Sequence, residues 1–365
     1  MSSRPLLVIN GYDFGAGRYY GINRNAMEVT MAVDRIAGRG VCAFDVEVAV
    51  PSVTEHTPAY ENVTVKALGR GFGSFRDKVT WRQVWFPRFV AREGGLGLDM
   101  TLAFPHRGRY CVFDYDTIPE DWPTQCFSSH SELKHWHYSD RVRKSLSSAE
   151  VVFTDSEYAK KRILYHYKIS PEKIVVVPCA WQHMLCVEKD DSVLPRLCLE
   201  PGQYFFSLGS RYPYKNFRWV EAAARQNPQY RFVVTGEDVH VHVPGTGEED
   251  VPANVTFTGY LSDGEVKALE THCRAFLHPS LEEGFGIPPM EAMSAGARCI
   301  VSSAASLPEV YGDSVWYIDP TDYDHIDLDA ITARPLKGTA EDVLSRYSWE
   351  ESARIILDTI EERCL

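Results

Sequence analysis

The chain has 365 residues, a formal net charge of −12, 44% hydrophobic and 24% charged residues. That length supplies two domains or one large one with ample core, and the composition excludes a disordered chain. The acidic balance argues against a general nucleic-acid binder.

The opening MSSRPLLVINGYDFGAG holds too short an apolar run for a signal peptide, and no later run approaches membrane-spanning length, so a cytoplasmic protein is expected. Leu6–Asn10 reads as a fully apolar strand running into Gly11, Gly15, Gly17 and Gly21, followed by a helical pattern from Ile22 to about Ile36. Strand, glycine-rich loop and helix open a nucleotide-binding type of α/β unit, although the spacing is not G-x-G-x-x-G. Strand-like runs follow at 44–50, 63–68, 100–104, 110–115, 151–154 and 174–177, with helical patterns at 78–92, 132–148 and 157–167. Ser129 to Glu132 reads as a capping box for the second of these helices. Such alternation predicts a parallel sheet covered by helices on both faces.

Between residues 66 and 109 nine Lys/Arg face three acids, a net of +6 in an acidic chain, and Trp81, Trp85, Phe86 and Phe89 interleave with them. Two readings are open: a basic aromatic patch resting on an anionic membrane surface, or an amphipathic helix packing its aromatics on the sheet with arginines in water. Of the histidines, His106 follows a strand and could reach a cleft. His130, His135 and His137 lack the i, i+4 spacing of a helical metal site, and His240 and His242 fall in a polar loop. Nine cysteines, at 42, 111, 126, 179, 186, 198, 273, 299 and 364, include no C-x-x-C pair, so reduced thiols are expected.

The periodicity breaks between Cys179 and Gly202, which reads as a linker. Alternation then restarts, with strands at 204–208, 230–235, 255–258, 274–277, 298–301 and 315–318. Ser262 to Glu265 and Ser306 to Glu309 read as capping boxes, and a last helix starts at Ser348-Trp349-Glu350-Glu351 with Ala353, Ile356, Leu357 and Ile360 on one face. Two α/β domains in tandem are the plan.

The most informative stretch is His278 to Gly296, HPSLEEGFGIPPMEAMSAG. A buried strand leads into a loop with Glu283, Gly284, Phe285, Gly286 and Ile287, then Pro288-Pro289 and a helix carrying Glu291. The glycines let the backbone turn tightly and a ligand approach. Loop and helix-start N–H groups, with the positive end of the helix dipole, form an anion site. One carboxylate on the loop and one in the helix can reach opposite ends of a ligand with a phosphate in its middle, which describes a nucleotide-sugar. Upstream, Gly209-Ser210-Arg211-Tyr212-Pro213-Tyr214-Lys215-Asn216 places a cation pair between a strand end and a helix start, suited to a diphosphate.

EEGFGIPPMEAMSAG resembles the E-x7-E signature of retaining glycosyltransferases with the two-Rossmann GT-B fold. The resemblance implies two tandem Rossmann-like domains facing across a cleft: an N-terminal acceptor domain over 1–180, a nucleotide-sugar donor domain over 181–347, and a terminal helix over 348–365 crossing back. It implies that Glu283 touches the donor sugar and Glu291 the ribose, and that Lys215 falls on the family's phosphate-binding lysine. The family's arginine stands directly after the glycine, where this chain has Ser210, with Arg211 one place further on. Gly236 and Gly259-Tyr260-Leu261 match positions around the nucleobase. In the first domain, Gly15 and Gly17 belong to the loop facing acceptor and donor phosphates. VFDYDTIPED resembles the H-D-x-x-P segment, with Asp116 and Pro119 in place and Tyr115 where the histidine stands, so that Tyr115 would shape the pocket.

The implied activity is metal-independent transfer of a hexose-type sugar, with retention, from a UDP- or GDP-linked donor to an acceptor hydroxyl. The acceptor would be a carbohydrate or lipid-linked molecule in polysaccharide or glycolipid assembly. No cofactor is expected beyond the nucleotide-sugar co-substrate, nor any nucleic-acid partner; location would be cytoplasmic, with peripheral contact at the inner membrane face through 66–109 as an option. Rival readings are an epimerase or hydrolase of the same fold, a glycoside hydrolase using both glutamates around one anomeric carbon, and a non-catalytic nucleotide-sugar binding module.

Overall fold

The computed structural model describes residues 4–17, 21–70, 73–102, 108–126, 132–209, 212–236 and 251–365. The chain divides into two compact units: Met1–Pro123, Phe127–Cys179 and Trp349–Leu365 form the first, Thr124–Cys126 and Ala180–Ser348 the second.

The first unit holds a parallel sheet of β1 (Leu6–Asn10), β2 (Asp45–Val50), β3 (Thr64–Ala67), β4 (Leu96–Asp99), β5 (Tyr110–Phe113), β6 (Val151–Thr154) and β7 (Ile174–Val176), in the order β3-β2-β1-β4-β5-β6-β7. Strand order reverses between β1 and β4, whose parallel register pairs Val8 with Gly97. The fourth strand lies at Leu96–Asp99, where the pattern predicts one over 100–104; residues 100–102 form no strand, and 103 and 104 lie outside the described residues. Glycines disguise it: a Cβ on Gly97 would come within 2.3 Å of the Tyr110 ring, so the position must stay bare for that ring to cover the strand.

Helix α1 (Gly21–Gly38) follows β1 and buries Ala26, Val29, Val33 and Ile36. The 78–92 pattern becomes helical turns at Phe75–Thr80, a π turn at Trp81–Trp85, and helix α2 (Phe86–Glu93). Trp81 and Phe86 are fully buried, and Phe89 nearly so. Trp81 Nε1 donates to Asn10 Oδ1 at 2.8 Å. These aromatics therefore serve the core, as the packing reading expects; Trp85 stays partly buried with the Arg70 guanidinium 3.6 Å over its ring. No helix among the described residues is long and apolar enough to cross a membrane. Helices α3 (Glu132–Ser148) and α4 (Glu157–Tyr167) coincide with their sequence patterns. The box that would open α3 at Ser129 lies outside the described residues.

The second unit holds a parallel sheet of β8 (Tyr204–Leu208), β9 (Arg231–Thr235), β10 (Val255–Phe257), β11 (Ala275–His278), β12 (Cys299–Ser302) and β13 (Trp316–Ile318), in the order β10-β9-β8-β11-β12-β13. Its order reverses between β8 and β11, paired at Ala275–Phe205 and Phe276–Phe206. Phe205, Trp219, Phe232, Leu277 and Ile300 centre its core. Helix α5 (Phe217–Gln226) follows β8, α6 (Asp263–His272) precedes β11, and α7 (Ile287–Ser294) follows it. The Ser262 box at α6 forms with both reciprocal bonds.

The 179–202 stretch is not a loose linker. It forms a tight turn at Gln182–Cys186 and a short helix at Val193–Arg196, with Met184, Val193, Leu194 and Leu199 buried. Lys267 Nζ on α6 binds the carbonyls of Met184 and Val187 at 2.7 and 2.9 Å. Polar and proline-rich sequence hid this packing, because its order comes from side chains far along the chain. Helix α8 (Trp349–Cys364) joins the first unit, burying Ala353, Ile356, Leu357 and Ile360 and packing on α1.

Candidate active site

In an open parallel sheet, ligands bind beyond the strand C-termini where the strand order reverses. In the second unit that point lies between β8 and β11, and the loops leaving these two strands carry Lys215 and Glu283. The β8 loop turns through Pro213–Lys215 into Asn216, which takes a left-handed conformation (φ 58°, ψ 45°). Asn216 is buried, and its Nδ2 donates to the carbonyls of Pro279 at 3.0 Å and Pro320 at 2.8 Å. Leu281 N–H also donates to Tyr214 O at 2.7 Å. The two loops are thus bolted together by backbone and by one asparagine. That fixes Lys215 Nζ 2.7 Å from Glu283 Oε1.

A second donor reaches the same oxygen. His278, the last residue of β11 and 2% exposed, places Nε2 3.0 Å from Glu283 Oε1 and 3.4 Å from Ser280 Oγ. Burial would raise the Glu283 carboxyl, but the Lys215 charge and the His278 hydrogen bond outweigh it and hold the group far below the usual carboxylate range. Oε2 has no protein partner among the described residues, which leaves it open to a hydroxyl. Gly209, Lys215, His278, Pro279 and Ser280 line a small crevice here. Gly209 itself sits at φ 149°, its N–H donating to Thr235 O at 3.0 Å.

Gly284, Phe285 and Gly286 are buried, and Ile287 is half-buried at the start of α7. Gly286 sits at φ 83°, and a Cβ there would come within 2.5 Å of Leu307 Cδ2. Tyr311 donates its hydroxyl to Gly286 O, and Phe285 lies edge-on to Tyr347 at 5.3 Å. Pro288 and Pro289 remove two of the donors a helix start normally presents, so the expected anion site rests on the loop and Ile287 N–H groups. Ser306 does not cap the helix after it: its backbone is already helical, and its Oγ donates to Glu283 O at 3.0 Å. Glu291, in α7, is 2.7 Å from Nε2 of His183.

Tyr260 is half exposed and Leu261 buried on the loop after β10, where Gly259 O accepts from Gly236 N–H at 3.2 Å and Thr235 Oγ1 at 2.8 Å. Ser210, Arg211 and His106 lie outside the described residues, as do His130, His240 and His242.

In the first unit, Gly15 and Gly17 sit in the loop after β1. A Cβ on Gly15 would meet Thr54 Oγ1 at 3.0 Å, and Gly17, at φ 72°, lies against the His56 ring. Tyr115, expected to shape the pocket, is held inside the first unit. It is 4% exposed, stacks on Phe113 at 4.7 Å, and donates its hydroxyl to Met100 O at 3.0 Å. A phenol is long enough to brace the neighbouring strand end, which an imidazole in its place is too short to do. Asp116 Oδ1 accepts from Ile118 N–H at 2.9 Å and opens the turn at Ile118–Asp121. Beside it, burial and the Asp116 and Glu120 charges push the Asp114 carboxyl well above the usual range. His135 Nε2 is 2.7 Å from Glu120 Oε2.

Sequence reasoning missed His278, His183 and Asn216. The first lies within the informative stretch, but nothing in the order of residues says that its ring turns back onto the glutamate five residues later. His183 is 108 residues from its partner, and no local pattern marks it.

Comparison with known proteins bears on the family and the fold. Residues 199–332 match the family "Glycosyl transferases group 1". The O-antigen chain mannosyltransferase B of Escherichia coli is 30% identical over 238 residues, 60% of this chain and 59% of that one, so the match spans about three fifths of the relative's length. Among solved structures, WaaG, a glycosyltransferase of lipopolysaccharide biosynthesis, superimposes with TM-score 0.63 at 16% identity, covering 98% of this chain and 97% of its own. Anabaena HepE, solved with UDP and glucose, gives TM-score 0.67 at 15% identity, covering 98% and 100%. Residues 199–332 thus match the group 1 glycosyltransferase family, and the two parallel-sheet α/β units share their fold with solved glycosyltransferases of the GT-B type.

Proposed function

We propose that the protein transfers a hexose, with retention of anomeric configuration and without a metal ion, from a nucleotide diphosphate sugar to an acceptor hydroxyl in polysaccharide assembly. The observation that carries this reading is the meeting of Lys215 and Glu283 at the point between β8 and β11 where strand order reverses. Lys215 offers a point charge to the diphosphate, the loop N–H groups add fixed dipoles, and Glu283 Oε2 accepts from a sugar hydroxyl. Glu291 takes the ribose hydroxyls. In the reaction the bond from the anomeric carbon to the phosphate oxygen breaks, and the acceptor oxygen bonds to that carbon on the same face. The departing phosphate oxygen takes the acceptor's proton, so a nucleoside diphosphate and a glycoside are the products. The mannosyltransferase relative makes mannose the first sugar to try, and HepE's ligands make UDP-glucose the second. An O-antigen-like carbohydrate or a lipid-linked one would be the acceptor, the latter reached from an anionic membrane surface.

The test is thermal stabilisation by UDP, GDP, ADP and dTDP, since a ligand at a hundred times its Kd adds about 2.7 kcal/mol. Transfer from GDP-mannose and UDP-glucose, with and without EDTA, is then followed by NMR of the new anomeric proton. An α-linked product from an α-linked donor, unaffected by EDTA, is expected. Release of the nucleotide with no acceptor-linked product would favour an epimerase or hydrolase instead.

A further inference from the structure

Both glutamates of the signature are held in the same way: one oxygen of each accepts from a buried histidine. For Glu291 the histidine is His183, whose side chain is 3% exposed while the carboxylate keeps 19% exposure. The turn that carries His183 is tied on several sides. Trp181 Nε1 donates to Leu344 O at 2.9 Å, Gln182 Nε2 to Tyr347 O at 2.8 Å, and Lys267 Nζ to Met184 O at 2.7 Å. A side chain presented by so constrained a turn fixes its partner at little entropic cost.

A second carboxyl lies close enough to feel the Glu291 charge. Glu270 on α6 is fully buried, and neither of its oxygens has a protein partner among the described residues. Burial first, and the Glu291 charge second, push its carboxyl well above the usual range. Glu291 keeps the His183 contact that both oxygens of Glu270 lack. An ionised carboxylate is an acceptor only, with lone pairs enough to take one N–H and still accept from two hydroxyls. A ribose offers two adjacent hydroxyl donors; a 2′-deoxyribose offers one.

We propose that His183 is the positioning residue of the ribose subsite, fixing Glu291 so that donor binding selects ribonucleotides over 2′-deoxyribonucleotides. The inference rests on the donor-site reading above. It makes the discrimination depend on a residue more than a hundred positions away from the signature.

Isothermal titration of the full chain with GDP, 2′-deoxy-GDP, UDP and 2′-deoxy-UDP tests it. For the nucleotide that binds, the wild-type protein should prefer the ribo form about tenfold, the size of one charge-assisted hydrogen bond. His183→Ala should weaken the ribo form about tenfold more than the deoxy form and bring the ratio close to one. His183→Gln, which restores an N–H donor, should recover the preference; His183→Leu, which keeps the volume without the donor, should not, and replaces the alanine variant if that one does not fold. A merely structural role would weaken both forms equally, and that result would overturn the proposal. So would a wild-type protein indifferent to the 2′-hydroxyl, with the donor site itself left standing. Binding of neither GDP nor UDP to the wild type would overturn the donor-site reading and this inference together.

Discussion

Lys215 Nζ and Glu283 Oε1 stand 2.7 Å apart, brought together from loops 68 residues apart in the chain. Each group neutralises the other before any ligand arrives, so a diphosphate has to compete for the lysine and a sugar hydroxyl for the carboxylate. Lys215→Ala should lower kcat by about 10²–10³, the usual loss on removing a group aimed at developing charge. Steady-state kinetics with the donor identified by the nucleotide panel checks this.

The pairing also links stability to pH. Lys215 and His278 hold the Glu283 carboxyl far below its ordinary range in the folded state. The unfolded chain therefore takes up a proton first as the pH falls. The contribution of Glu283 is whole above about pH 4.3, the unfolded value, and drains away as the pH drops toward the folded-state value. Glu283→Gln should cost about 1–3 kcal/mol at neutral pH and flatten the acid side of the stability curve. Urea midpoints measured down a pH series give both numbers.

Gly286 occupies a left-handed backbone with Leu307 packed where a side chain would start. Gly286→Ala meets both obstacles, and about 2–4 kcal/mol of lost stability is expected together with loss of nucleotide-induced thermal stabilisation. Differential scanning fluorimetry reads the two effects in one experiment.

Asn216 combines a left-handed conformation with two donated bonds that join the site loops. Asn216→Ala should therefore cost about 2–4 kcal/mol, whereas Asn216→Gly relieves the backbone and should recover about 1 kcal/mol of it. Both should raise KM for the donor, because neither restores the bonds. Denaturant melts and donor titrations of the pair separate the two contributions.

Tyr115 braces Met100 O from within the first unit. Tyr115→Phe should lower stability by about 1 kcal/mol and leave kcat/KM unchanged. A large fall in kcat at unchanged stability would instead give the hydroxyl a part in the chemistry.

What could be read from the residues alone follows from where the information is local. The α/β alternation, the strand at Leu6–Asn10, the helices at 132–148 and 157–167, the capping box at Ser262 and the glycine turn at Gly286 all depend on neighbours within a few positions. Glu283 and Lys215 could be named as candidates for the same reason, each belonging to a turn or loop next to a strand end, and Glu291 from its place in the helix that follows. The strand at Leu96–Asp99 was misplaced because Gly97 is chosen by the Tyr110 ring on the next strand, not by its own periodicity. Tertiary structure alone decided which oxygen each glutamate commits and to whom: His278 turns back onto Glu283, His183 reaches Glu291 from a stretch that reads as a linker, and Ser306 leaves its helix cap for the Glu283 carbonyl. Those partners are set by packing between segments distant in sequence, and a buried polar group takes whichever partner the fold delivers.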